Sequence, residues 1–227
     1  MGRPFVFINA AMSADGKIST VERRQVRISG ARDLERVDAL RAGSDAVLVG
    51  IGTVLADDPS LTVKSERLRA ERRKAGKDEN PIRVVVDSRA RTPLNAEILN
   101  KGVGGRLVAV SKRAPMERVK ALEQKADVVI CGESKVDLRK LLSILYDDYG
   151  VRRLMVEGGA TLNWSLLSQR LVDELYVFVG NMIIGGANAP TLVDGEGFVD
   201  NFLKLELLSV ERLDDGVLLK WRVCSRS

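Results

Sequence analysis

The sequence of 227 residues has no histidine. That excludes the Ser-His-Asp and Cys-His nucleophile systems and the usual His-ligated zinc sites in one step. Chemistry on this chain must lean on a cofactor, on carboxylates or on lysine, and no metal site is expected. Cysteine is scarce too. Cys131 and Cys224 are far apart and form no CxxC pair, which argues against a disulfide framework and for a reducing compartment, the cytoplasm. Long apolar runs are also missing: nowhere do about eighteen apolar residues follow one another. The N-terminal stretch MGRPFVFINAAMSADGK holds only a strand-length apolar run, so neither a signal peptide nor a membrane span is expected.

What is present is enough for a full core in one compact domain or two tightly packed lobes, since 45% of residues are apolar. The formal charge is +5, and its location matters. Between Lys64 and Lys77 seven basic residues face two acidic ones, Glu66 and Glu71, so this one segment carries the whole surplus. It has no aromatic residue on which bases could stack and reads as a solvated loop or helix. The alternative is a nucleic-acid-binding protein using this segment, whose affinity would fall steeply with salt.

Short apolar runs bounded by turn residues recur: FVFINA, AVLVG, IRVVVD, RLVAVS, DVVI, RLMVEG and ELYVFVGNMIIG. Such runs suit strands buried on both faces in a parallel sheet covered by helices. Helical spacing appears between them. Ser29 to Arg41 opens on a possible Ser cap and sets Leu34, Val37, Leu40 and Ala42 on one face, and Met116–Gln124, Asp137–Tyr146 and Thr161–Leu171 are similar. After Asp173 the rhythm changes to LKLELLSVERL and VLLKWRV around Asp214-Asp215-Gly216, a hairpin that adds antiparallel strands. The class is α/β.

Ligands of open α/β sheets bind at the carboxyl ends of strands, and three such ends carry unusual residues. In VGIGTVLADDPSL the glycines Gly50 and Gly52 begin a dinucleotide fingerprint, but Leu55 stands where the third glycine belongs, so the pattern fails. Thr53 and Asp57 remain as polar groups able to bond a ribose or an amine; plain turn chemistry at Asp58-Pro59 is the competing reading. In RLMVEGGATLNWSLL a strand meets two glycines and a helix start near Ala160, which turns backbone amides toward one point and favours a pyrophosphate. A bare tight turn is the alternative there. In IRVVVDSRAR, Ser88 and Arg89 are the groups an adenosine 2′-phosphate requires, against a turn with solvated arginines. Gly132, ending DVVICG, would let a flat ring lie against the backbone.

Together INAAMSADGKIS, RVDALRAGSDAVLVGIGTVLADDPSLTV, IRVVVDS, CGESKVDL, VEGGATLNWSLL and DGEGF resemble one family. It comprises the reductases of 2,5-diamino-6-ribosylamino-pyrimidinone 5′-phosphate and the reductase half of bacterial bifunctional riboflavin enzymes. The resemblance implies a dihydrofolate-reductase-like three-layer fold, with a mostly parallel central sheet and antiparallel C-terminal strands, over a single domain 1–227. It further implies NADPH as cofactor, a phosphorylated pyrimidine as substrate, a homodimer, and no nucleic-acid or membrane partner. By the family's pattern Thr53, Asp57, Val85, Val86, Asp87, Ser88, Gly132, Gly158, Gly159, Ala160, Thr161 and Leu162 line the cofactor site. Asn9, Arg41, Leu61 and Glu157 lie toward the substrate, with Arg41 or Lys64 for its 5′-phosphate and Asp57 and Glu157 for proton handling. Lys64 stands where bacterial relatives carry arginine, which argues against a bidentate phosphate contact. No H-x-E or C-x-x-C deaminase motif is present in the sequence, and with no room before Phe5 the deaminase half is expected to be missing. Reduction is therefore expected to precede deamination. Dihydrofolate reductase is the enzyme rival, although no pterin-binding carboxylate helix follows the first strand.

Overall fold

The computed structural model describes residues 2–24 and 26–224. In chain order the elements are β1 (Phe5–Ser13), α1 (Ala31–Ala42), β2 (Ala46–Gly50), α2 (Ile51–Asp57), α3 (Glu66–Lys74), β3 (Ile82–Val86), α4 (Glu97–Asn100) and β4 (Arg106–Val110). There follow α5 (Met116–Glu123), β5 (Asp127–Ile130), α6 (Leu138–Asp147), β6 (Arg153–Val156), α7 (Ala160–Ser168), β7 (Glu174–Gly180), β8 (Leu205–Leu213) and β9 (Gly216–Val223). Two compact units divide the chain, one of residues 1–5 and 38–155, the other of 6–37 and 156–227.

The strands of the first unit run in the order β5-β4-β3-β2-β6. The β2–β3, β3–β4 and β4–β5 ladders are parallel, with Val84 opposite Leu48 on one side and Leu107 on the other. Both faces of β2 and β4 are buried, as their unbroken apolar runs require. The run DVVI behaves differently, because β5 ends the order and leaves Asp127 and Ile130 exposed. Beside this sheet α5 buries Val119 and Leu122, and α6 buries Leu138, Leu141, Leu142 and Leu145. Asp137 starts α6 by accepting a hydrogen bond from the Lys140 amide at 3.0 Å.

Two arginines lie inside this unit. Arg83, in the middle of β3, is fully buried and donates to the carbonyls of Lys101, Val103 and Gly104; burial pulls its pKa down to about 10. The basic segment proves ordered. It forms α3, capped by Ser65, and the Arg72 guanidinium runs inward to the carbonyls of Asp78 at 2.7 Å, Ala42 at 2.7 Å and Ser44 at 2.8 Å. Arg67, Arg69, Arg73 and Lys77 pair with carboxylates. Most of the local charge surplus is thus already committed.

In the second unit the order is β1-β7-β9-β8. β1 and β7 are parallel, while β9 is antiparallel to both β7 and β8, so the C-terminal hairpin is formed as the sequence suggests. Its turn buries Leu213 and Leu218 against Ile28 and Phe178. The hairpin also corrects the expected start of α1. Ser29 is no cap: its hydroxyl donates to Asp33 at 2.5 Å, and the free amides of Arg32 and Asp33 bond to Asp214 in the β8–β9 turn instead. Nor does the α1 stripe of Leu34, Val37 and Leu40 form the deepest face, since Leu34 is 48% exposed while Asp33 is only 1% exposed. Asp33 is satisfied there by Ser29 and by the Arg36 guanidinium. Among the described residues no helix is long and apolar enough to cross a membrane.

Candidate active site

Ten of the seventeen expected site residues belong to the first unit. β2 runs directly into α2, a short helix where the sequence suggested only a turn, with Gly50 as its extended N-cap. Thr53 lies half-buried in α2 and Asp57 is its last residue. Burial pushes the Asp57 carboxyl above the ordinary carboxylate value, a property suited to holding a proton. Asp58 then adopts a left-handed conformation, closes α2 onto the Val54 carbonyl, and accepts the first amide of α4 from Glu97 at 2.8 Å. This turn chemistry belongs to Asp58 and leaves the Asp57 carboxyl outside it.

Three residues later Leu61 has φ of 51° while its side chain is only 2% exposed. A bulky residue in the left-handed region is strained and needs neighbours that over-determine it. They are present. The Asn80 carboxamide oxygen accepts from the Val63 amide at 2.7 Å, and Asp38 accepts from the amides of Lys64 and Ser65 at 2.6 and 2.8 Å. On this braced loop the Lys64 ammonium donates to the Ser60 and Thr62 hydroxyls, both at 2.8 Å. Arg41 donates to the Thr62 carbonyl at 3.4 Å. Burial, then the nearby Arg41 and Lys101 charges, hold the Lys64 pKa below that of an ordinary lysine. Arg41, Lys64 and two hydroxyls thus gather around one loop. Cations crowded in this way favour an anion among them. The contribution of Ser60 and Thr62 escaped sequence reasoning, which had only the basic residues to go on.

The β3 end is more structural than expected. Val85 is buried in the core and Asp87 is fully buried, with one carboxylate oxygen accepting both the amide and the hydroxyl of Thr92, at 2.7 and 2.8 Å. Asp87 therefore shapes the turn, leaving Val86 and Ser88 half-buried. The Ser88 oxygen accepts from the Val136 amide at 3.0 Å, and a hydroxyl so used still has its own proton to donate. Gly132 has φ of 104°, and a Cβ there would lie 2.1 Å from the Lys135 carbonyl oxygen and 2.7 Å from the Asp137 amide nitrogen. Close approach of backbone explains this glycine, whether or not a ring also rests nearby.

The second unit contributes the other seven residues. Asn9 lies on β1, 7% exposed, and its carboxamide oxygen is buried without a hydrogen-bond partner. Such a group costs about 1–3 kcal/mol, which a ligand donor would offset. After β6 come Glu157, half-buried, then Gly158 with φ of 89° and Gly159 as the N-cap of α7. Gly159 offers no capping side chain, its carbonyl takes the Asn163 amide at 3.0 Å, and no acidic residue occupies the first turn. Ala160, Thr161 and Leu162 therefore turn their amides toward the helix start, where a phosphate suits the helix dipole. Gly158 leaves open space beside this helix start, where a Cβ would meet nothing closer than the Asn163 side chain at 3.7 Å, and with no acidic residue in the first turn the amides suit the phosphates of a nicotinamide dinucleotide. The DGEGF stretch, quoted above only as part of the resemblance, packs on α7, which the sequence did not show. A Cβ on Gly195 would overlap the Trp164 indole, whose ring lies 4.8 Å from Phe198, and the Asn163 carboxamide donates to the Leu192 carbonyl.

Residues 4–219 match the family model described as the RibD C-terminal domain. The 2,5-diamino-6-ribosylamino-4(3H)-pyrimidinone 5′-phosphate reductase of Archaeoglobus fulgidus is 55% identical over 214 residues, which is 94% of this chain and 95% of the relative. The protein of the same name from Methanothermobacter thermautotrophicus is 47% identical over 97% of this chain and 99% of its own. Among solved structures, Acinetobacter baumannii RibD superposes with a TM-score of 0.81 at 28% identity, covering 99% of this chain and 59% of that one. Dihydrofolate reductase from Enterococcus faecalis superposes at 0.50 and 11% identity, covering 97% of each chain, a likeness of fold alone. With its α/β fold, mostly parallel strands and near full-length matches, the chain belongs to the RibD C-terminal domain family.

Proposed function

We propose that this chain is an NADPH-dependent reductase that converts 2,5-diamino-6-ribosylamino-4(3H)-pyrimidinone 5′-phosphate to its ribitylamino form in riboflavin biosynthesis. The observation that carries this reading is the 55% identity, over 94% of this chain, to a reductase of that name. The whole chain 1–227 acts as one cytoplasmic reductase domain and pairs as a homodimer.

The substrate has a ribosylamine ring that must open before it can be reduced. Breaking the C1′–O4′ bond leaves a C1′=N imine and a sugar hydroxyl. Bound NADPH supplies the hydride that C1′ takes up, and the nitrogen gains a proton. The protein's task is to hold and orient these atoms and to place the protons. Asp57, whose burial favours the neutral carboxyl, serves proton handling together with Glu157. Arg41 and Lys64, with the Ser60 and Thr62 hydroxyls, hold the 5′-phosphate on the strained Leu61 loop. The orphaned Asn9 oxygen accepts an N–H of the pyrimidine. On the cofactor side, the α7 amides from Ala160 to Leu162 take the pyrophosphate, Thr53 and the half-buried Val86 and Ser88 serve the adenosine half, Val85 and Asp87 support that strand end from the core, and Gly132 permits the close backbone approach beside it.

Purified protein should oxidise NADPH only when the ribosylamino-pyrimidine phosphate is supplied, and much less rapidly with NADH. Asp57→Asn and Glu157→Gln should each lower turnover more than thermal stability. Activity on dihydrofolate with none on the pyrimidine would overturn the reading.

A further inference from the structure

The loop that carries Lys64 is held by side chains. Every backbone polar group from the Thr62 carbonyl to the Ser65 amide bonds to one that reaches in from outside the loop. The Thr62 carbonyl accepts from Arg41 at 3.4 Å, the Val63 amide donates to Asn80 at 2.7 Å, and the carbonyls of Val63 and Lys64 accept from Arg69 at 3.1 and 3.3 Å. The amides of Lys64 and Ser65 donate to the two oxygens of Asp38, at 2.6 and 2.8 Å. Asp38 is 8% exposed and stands three residues before Arg41 on α1. One helix therefore supplies a cation of the anion site and the acceptor that fixes the backbone of the other cation.

We propose that Asp38 is a positioning residue for the substrate's phosphate, holding the 61–65 loop so that the Lys64 ammonium and the Ser60 and Thr62 hydroxyls converge beside Arg41. The inference rests on the 5′-phosphate reading of this loop and names the group that shapes it. By charge alone a carboxylate is out of place here, because it weakens the attraction of Arg41 and Lys64 for an anion. Its geometry explains it. Both oxygens are committed to amides in charge-assisted hydrogen bonds, stronger than neutral ones, so Asp38 acts through the loop and not on the ligand. One of those amides belongs to Lys64 itself, whose ammonium donates to Ser60 and Thr62 at 2.8 Å. The same two bonds anchor the far end of the turn that begins at Leu61 in the left-handed region.

The test is Asp38→Asn in the full chain. The shape is kept, but one carboxamide oxygen replaces two carboxylate oxygens and the new NH2 group meets a backbone amide as donor against donor. Were Asp38 acting only through its charge, this variant would bind phosphate more tightly; positioning predicts the opposite sign. KM for the phosphorylated substrate should rise about 10-fold or more, as when a contact is misplaced by a fraction of an ångström. Turnover, and the kinetics of the dephosphorylated substrate, should stay near wild type, and calorimetry should show the same loss of affinity for ribose 5-phosphate. Arg69→Met, which frees the Val63 and Lys64 carbonyls at a side chain 29% exposed, carries the test if Asp38→Asn fails to fold by circular dichroism. Its phosphate-specific loss should persist at high salt, where the loss of a mere charge is screened. An unchanged or lower KM in either folded variant, or equal losses on both substrates, would overturn the proposal. Lys64→Met separates it from the reading beneath it. If that variant also leaves phosphate binding untouched, the phosphate site itself fails; if it alone loses the phosphate, only the role of Asp38 fails.

Discussion

Replacing Lys64 by methionine keeps the aliphatic stem and removes one positive charge. The lost group donates to two hydroxyls at 2.8 Å and lies near Arg41. If that loop holds the substrate phosphate, the variant forfeits one hydrogen bond to a charged group, worth about 1.5–3 kcal/mol. At 1.36 kcal/mol per decade this is about a 10- to 150-fold fall in kcat/KM; since Lys64 is only partly buried and largely open to solvent, screening favours the lower end. The loss should fall on KM with kcat little changed, because the phosphate is bound alike before and during the reaction. The assay is steady-state NADPH oxidation with the phosphorylated substrate and with its dephosphorylated counterpart. Methionine should leave the second nearly untouched, and added salt should raise KM for wild type more than for the variant. A pH series adds a second arm. The Lys64 pKa lies below the ordinary 10.5, so KM for the phosphate should begin to climb at a lower pH than an unperturbed lysine would give. Equal losses on both substrates, or no loss on either, would refute the assignment.

Arg72→Met leaves three carbonyls without their donor and should cost about 3–5 kcal/mol, or about 6–20 °C in melting temperature for a chain of this size. Arg67→Ala, which removes only the exposed pair with Glu71, should cost no more than about 1 kcal/mol; similar melting curves for the two would refute the distinction. Asp57→Asn should gain stability relative to wild type as pH rises. Burial raises the native Asp57 pKa above 3.8, so this group's contribution is full below 3.8 and is lost as pH climbs through the native value. Urea unfolding across a pH series measures this, and a constant difference between the two proteins would contradict it.

The strands were legible because each apolar run is bounded by turn residues, and AVLVG and DVVI match β2 and β5 residue for residue. The Asp137 start of α6 and the Asp214-Asp215-Gly216 hairpin were legible for the same local reason. Long-range partners were not. Nothing near Ser29 shows that Asp214 will cap α1, or that Asp38 will be buried to hold the amides of Lys64 and Ser65. Arg72 reads as one cation among seven until the carbonyls around it are known. At the site, the Gly158-Gly159 turn was readable from chemistry, whereas Arg41 and Asn9 came forward only through resemblance. The left-handed backbone at Leu61 has no local signature, because leucine does not choose that conformation unaided.

The capping of α1 by Asp214 spans 181 residues, and the Val6 amide reaches Asp173 across 167. During synthesis the beginning of the chain must therefore wait for its end. β1 lacks its parallel neighbour β7, and the first amides of α1 lack their acceptor, until β7 and then Asp214 have left the ribosome. Residues 38–155 form a nearly continuous unit and have no such delay. Contacts of this sequence separation are slow to close, so the middle of the chain is expected to become protected first, with β1 and the start of α1 among the last segments to resist hydrogen exchange.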